Sequence, residues 1–327
     1  MMHSSGNKIS IWRWLTGLAQ FVRFPNLVIV VLIEFLLRYA ILKPILFGGA
    51  YEYMTSLTDF IIFVITTLLL AIGGYVINDY FDIKIDRVNR PDQVVVSRII
   101  APHAAMKIHL AVNFIAVILG FYLAYRIQSF WFGLLFPCGA FFFWFYSARW
   151  KQLLIWKNLI VAFISALLVM LVLLFEFFHL RLYPDYFAEV MGKLNGIFMI
   201  FLGYAGFAFL VSLFREVIKD MEDLQGDEQY GTRSLPAVIG INWSKSIVIG
   251  LIVLTMVLLG YCQVVIFRFG LEMLFWYFMI AVQVPAIVLI MTIIRAKEKK
   301  NFHLASWLAK LIMLTGILSM VFLSISY

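Results

Sequence analysis

The chain has 327 residues, of which 64% are hydrophobic and only 13% charged, with a formal net charge of +8. That balance excludes an ordinary soluble domain. Nucleic-acid binding is not implied by the positive charge, because Lys and Arg are distributed among the connections between apolar runs and are not gathered into one patch. The two cysteines, Cys138 and Cys262, fall inside apolar runs and show neither disulfide nor zinc spacing.

Nine apolar stretches occur, at about 24–42, 58–78, 104–125, 129–147, 158–178, 194–214, 246–267, 271–294 and 304–326. Each is near the roughly 20 residues that a helix needs to cross a bilayer core. The runs are apolar all round and do not alternate with polar residues, so helices are expected and not a barrel. The expectation is an all-α polytopic bundle of nine transmembrane helices in one membrane domain, residues 1–327. The first run contains Glu34 and Arg38 and lacks a small-residue cleavage site, which predicts a retained helix and not a signal peptide. The spacing of that pair, i and i+4, predicts an intramembrane ion pair facing the bundle. With the N-terminus on the cytoplasmic side of a cell inner membrane, most Lys and Arg fall on inside connections, as the positive-inside rule requires.

Carboxylates are scarce, and ten of the eighteen lie in two short segments on that same side. The first spans 78–98 and carries Asp79, Asp82 and Asp86 after Asn78. The second spans 215–236 and carries Glu216, Asp220, Asp223 and Asp227. Asp79, Asp82 and Asp86 stand at i, i+3 and i+7, one face of a continuing helix, and Asp220, Asp223 and Asp227 repeat that spacing. Stacked carboxylates repel, and a divalent cation relieves the conflict. Mg²⁺ takes oxygen ligands and binds through a few carboxylates plus substrate phosphate oxygens, so Asp79, Asp82, Asp86, Asp223 and Asp227 are the candidate ligands. Interleaved Lys84, Arg87, Arg215, Lys219 and Arg233 are candidates to neutralise the remaining oxygens of a diphosphate. Both acidic segments end an even-numbered span and are four spans apart, which suggests two four-helix repeats plus one added helix.

These residues resemble the UbiA superfamily of intramembrane prenyltransferases over nearly the whole chain. Asn78-Asp79-x-x-Asp82-x-x-x-Asp86 looks like that family's first Asp-rich motif, and Asp223-x-x-x-Asp227 with Asp220 ahead of it like the second. Arg23-Phe-Pro-Asn26 and Tyr146-Ser147 followed by Lys151 and Asn158 are weaker matches. The resemblance implies that Lys151 faces the diphosphate and that Arg23, Asn26 and Tyr146 serve the acceptor or the site's periphery. After Asn89-x-Pro91 the family often continues with Arg-Pro and a Ser-Gly pair, whereas here Gln93 to Arg98 intervene. Either a basic contact has moved to Arg98 or the loop takes a different acceptor.

The second motif, continued by Gly231-Thr232-Arg233-Ser234-Leu235-Pro236, looks most like the branch of geranylgeranylglyceryl phosphate geranylgeranyltransferases and chlorophyll synthases. The resemblance implies a Mg²⁺-dependent enzyme, a polyprenyl diphosphate donor, a lipid or aromatic acceptor, and all six aspartates at the catalytic centre. A quinone precursor is the alternative acceptor. The rival readings are a secondary transporter, whose sites usually lie at the bilayer midplane, and a non-catalytic binder of prenyl lipid.

Overall fold

The computed structural model describes residues 11–91 and 94–325. Asp92 and Gln93 of the first acidic segment, the residues before 11 and the last residue of the ninth predicted span lie outside the described residues. The described chain is built of helices joined by short connections, with one isolated bridge between Val96 and Ile100.

A helix α1 (Ile11–Phe21) precedes α2 (Phe24–Leu36), which continues without a break into π-helical turns over Leu37–Phe47. Then follow α3 (Leu57–Asn89), α4 (Pro102–Arg126), α5 (Phe130–Ala148), α6 (Trp156–Leu180) and α7 (Pro184–Glu222). Two short helices, α8 (Leu224–Gln229) and α9 (Leu235–Ile239), lead to α10 (Ile241–Arg268), α11 (Glu272–Arg295) and α12 (Lys299–Ile325). Eight of these helices are long and apolar enough to cross a membrane, and the protein is an integral membrane protein. The first of the nine predicted spans is the exception, because its α-helix is only 13 residues long before the π-helical turns begin.

Those π turns also undo one expectation. Widening the helix from Leu37 onward changes the angular spacing that would bring position i+4 under position i, and Arg38 does not pair with Glu34. Its Nε instead meets Glu176 Oε1 of α6 at 3.2 Å, and the same carboxylate accepts from the Thr55 hydroxyl at 2.6 Å and the Thr55 amide at 3.1 Å. Arg38, Glu176 and Glu34 are all buried.

Length explains where the acidic segments sit. At 1.5 Å per residue α3 is roughly 50 Å long and α7 roughly 58 Å, against about 30 Å of hydrocarbon, so each extends beyond the apolar layer. The first acidic stripe occupies the last turns of α3. The second is not one helix: α7 ends at Glu222, Asp223 occupies the bend, and Asp227 lies on α8. α7 packs against α6, α10 and α12, while α3 packs against α4, α5 and α8. The contact between α3 and α8 draws the two acidic segments together.

Candidate active site

Asn89, at the end of α3, fixes that contact by accepting a hydrogen bond at Oδ1 from the Gly226 amide, at 2.9 Å. Gly226 is required there, since a Cβ would stand 2.5 Å from that oxygen. One residue on, Arg90 Nη2 meets Asp223 Oδ2 at 2.5 Å, an ion pair that bridges the two acidic segments.

The segments frame the mouth of a cavity of about 1590 Å³. All six motif aspartates line it, and each cluster has its own cation. On the α3 side, Lys151 Nζ, from the connection between α5 and α6, bonds Asp82 and donates to Asn78 Oδ1 at 2.9 Å, while Asn78 Nδ2 donates to Asp82 Oδ2 at 2.9 Å. Arg23 meets Asp79 Oδ1 at 2.7 Å with its guanidinium 4.9 Å from the Tyr75 ring centroid. Its own backbone is left-handed, φ 51, a conformation costly for a non-glycine residue and typical of functional sites. On the α7 side, Lys157 Nζ lies 2.8 Å from Asp220 Oδ1 and 3.9 Å from Asp227 Oδ2, and Asn158 donates to Asp220 Oδ2 at 2.9 Å. Arg215 Nη1 meets its neighbour Glu216 at 2.8 Å. Burial raises the Asp227 carboxyl above its ordinary range, opposed by the nearby Lys157 ammonium. In all, the lining holds as many cationic side chains as carboxylates.

Asp86 lines the cavity without an ion-pair partner among the described residues, and Asp223 Oδ1 is buried with no hydrogen bond. An unmatched buried carboxylate oxygen among other carboxylates fits a hard cation. No three carboxylates, histidines or cysteines converge as a ready-made metal cage among the described residues.

Arg23, Asn26, Asn78, Tyr146, Lys151, Arg215 and Lys219 also reach the cavity wall. Lys84, Arg87, Arg98 and Arg233 do not: all four are exposed and outside the lining. Arg87 donates to Ser97 Oγ and Arg98 to the Pro91 carbonyl, so both serve the 90–100 connection. Lys84 and Arg87 point away because α3 presents its aspartates inward, and residues 84 and 87 fall on other faces of the helix. Lys157, Asn89, Arg90 and Lys310 line the cavity although the spacing argument gave them no role there.

Away from the mouth the wall is apolar, with Phe142 and Phe143 of α5, Leu167 and Leu171 of α6, and Phe198 of α7. The arrangement is a charged, metal-compatible entrance on a long apolar pocket, suited to a diphosphate with a hydrocarbon tail. Residues 41–321 match the model of the UbiA prenyltransferase family. The chain belongs to the UbiA prenyltransferase family. Among UbiA relatives, it is 32% identical over 193 residues to the digeranylgeranylglyceryl phosphate synthase of Pyrococcus horikoshii, a match covering 58% of this chain and 60% of that protein. The chain thus spans about three fifths of that relative's length. It is 26% identical over 259 residues to the synthase of the same name from Saccharolobus solfataricus, covering 79% and 82% of the two chains. A solved structure described as digeranylgeranylglyceryl phosphate synthase in membranes superposes with a TM-score of 0.56 at 20% identity, over 96% of this chain and 99% of that one. That superposition establishes a shared UbiA fold.

Proposed function

We propose that this UbiA protein is a Mg²⁺-dependent prenyltransferase that moves a polyprenyl group from its diphosphate to a glycerol phosphate lipid. The observation that carries this reading is the pair of acidic segments, docked through Asn89 and Gly226 and set at the mouth of one large apolar cavity. Asp79, Asp82, Asp86, Asp223 and Asp227 are the residues that would hold Mg²⁺, with the free Asp223 Oδ1 a ready ligand atom. When bound, the ion supplies positive charge to the diphosphate oxygens.

The protein's own side chains account for the rest. Lys151, Lys157, Lys219 and Arg90 give the diphosphate oxygens hydrogen-bond donors, stabilising the charge that collects there as the allylic C–O bond breaks with its electron pair. Asn78 and Asn158 hold Asp82 and Asp220 in place. Tyr146, within electrostatic reach of Asp82 and Asp220, presents an aromatic face where positive charge builds on the prenyl carbon. The apolar wall excludes water from that carbon, which an acceptor hydroxyl then captures while its proton passes to the released diphosphate. The names of the Pyrococcus and Saccharolobus relatives support the glycerol phosphate acceptor over an aromatic one. The orientation proposed is mouth to the cytoplasm, where a water-borne diphosphate arrives while its tail stays in lipid.

The test is transfer from radiolabelled geranylgeranyl diphosphate by purified protein, with and without Mg²⁺, to geranylgeranylglyceryl phosphate, hydroxybenzoate and dihydroxynaphthoate. Labelled product from the first acceptor alone, only with Mg²⁺, supports the reading; product from an aromatic acceptor alone replaces the acceptor, and no product with any of them rejects the transferase.

A further inference from the structure

Most cations of the cavity are matched to a carboxylate, and Lys310 is not. It lies on α12, where Lys310, Met313, Ile317 and Met320 line the cavity at i, i+3, i+7 and i+10, a single helix face. α12 packs chiefly on α7, α11 and the α2 unit, and Gly316 brings it close to α7, since a Cβ there would meet Phe207 Cε1 at 2.2 Å. Tyr204 and Ser319 hydroxyls bond across the same contact at 2.9 Å. Lys310 is therefore held on a fixed wall. It forms no ion pair or hydrogen bond among the described residues, and the charges acting on it most strongly are Arg215, Lys219, Arg23 and Arg90, every one a cation.

Arg215, first among those charges, is itself incompletely used. Its Nη1 bonds Glu216, but its Nε is buried with no acceptor. A buried N–H without an acceptor is costly, and an ammonium without a paired anion on a membrane helix is costly as well. A lysine that merely snorkels to water would stand near a helix end; Lys310 is about 16 Å along α12 from its first residue. Both deficits are removed together by one anion. The donor clamp does not need these two groups, because Lys151, Lys157 and Arg90 already pair with aspartates of the acidic segments.

We propose that Lys310 and the free Nε of Arg215 form a second anion subsite, which takes the phosphate monoester of the lipid acceptor while its chain lies along Met313, Ile317 and Met320. The inference rests on the glycerol phosphate reading above and adds the residues that select it. A phosphate retained through the reaction needs a holder separate from the one that receives the released diphosphate. The apolar stripe beginning at Lys310 offers an amphiphile a charged end and a greasy track on one helix.

The experiment measures equilibrium binding, without donor, of geranylgeranylglyceryl phosphate and of geranylgeranylglycerol, which lacks the phosphate, to purified wild type, Lys310→Met and Lys310→Arg. Binding of geranylgeranyl diphosphate with Mg²⁺ is measured alongside. Wild type is expected to favour the phosphate-bearing lipid. Lys310→Met should bind it about ten-fold more weakly, the scale of one charged hydrogen bond, with the phosphate-free lipid and the diphosphate within two-fold, and Lys310→Arg should recover most of the loss. Unchanged phosphate-lipid binding in Lys310→Met, an equal loss for the diphosphate, or no phosphate preference in wild type overturns the proposal. Failure of the transferase reading looks different: no acceptor is prenylated, yet the Lys310-dependent preference for phosphate remains.

Discussion

The side-chain amide of Asn89 occupies the space that a Cβ of Gly226 would fill, and its oxygen takes the Gly226 amide hydrogen bond. Two acidic segments 137 residues apart meet at that point. Gly226→Ala puts a methyl 2.5 Å from Asn89 Oδ1 and forces the segments apart, at a cost of about 1–3 kcal/mol for overpacking. Prenyl transfer should fall at least ten-fold while the protein still inserts and elutes as wild type. Wild-type turnover in this variant would show that the docking is not needed.

Lys157 is buried between Asp220 and Asp227, with 7% of its side chain exposed. Lys157→Met leaves two buried carboxylates without their cation, and breaking such a pair costs about 3–5 kcal/mol. The thermal midpoint of the purified variant should drop by several degrees without metal and recover in part with Mg²⁺. A midpoint that ignores Mg²⁺ would argue against metal at the second segment.

Asp223 combines one oxygen paired to Arg90 with one that has no partner. Asp223→Asn removes the charge on both, so turnover should fall by two orders of magnitude or more, the scale of lost electrostatic stabilisation at a catalytic centre. Raising Mg²⁺ should not restore it. Chelation of wild type should reproduce the loss, and fresh Mg²⁺ should reverse it.

Glu176 receives Arg38 and Thr55 in the buried interior, away from the cavity lining. Glu176→Ala strands the Arg38 guanidinium and is expected to destabilise the fold by about 3–5 kcal/mol. The surviving folded fraction should keep the wild-type donor KM. A changed KM with an unchanged melting curve would reverse that assignment.

The membrane class and the two clusters of aspartates are legible because each is written locally, as a run of apolar residues or as acids at helical spacing. What spacing could not convey was closure. Whether α7 continues through Asp223 depends on its packing with Asn89, a residue far away in the chain. The same limit explains Lys84, Arg87, Arg98 and Arg233, basic residues close to the motifs in sequence that lie on the wrong side of their helix or on an exposed connection. Lys157 and Lys310 were overlooked for the opposite reason: one sits beside an apolar run and the other within one, where charge is read first as an anomaly. Glu34 and Arg38 misled because i, i+4 pairing presumes α-helical geometry, and π turns begin between them.

The equal number of acids and bases around the cavity makes its charged lining neutral overall. A visitor of one sign that engages a paired side chain must break that pair and leave its partner stranded. Visitors of opposite sign, arriving together, can trade places with a Lys-Asp or Arg-Asp pair and leave the wall neutral. Metal and diphosphate should therefore assist each other's binding, by equal factors in either order. At those paired side chains each binds more weakly alone than in the company of the other.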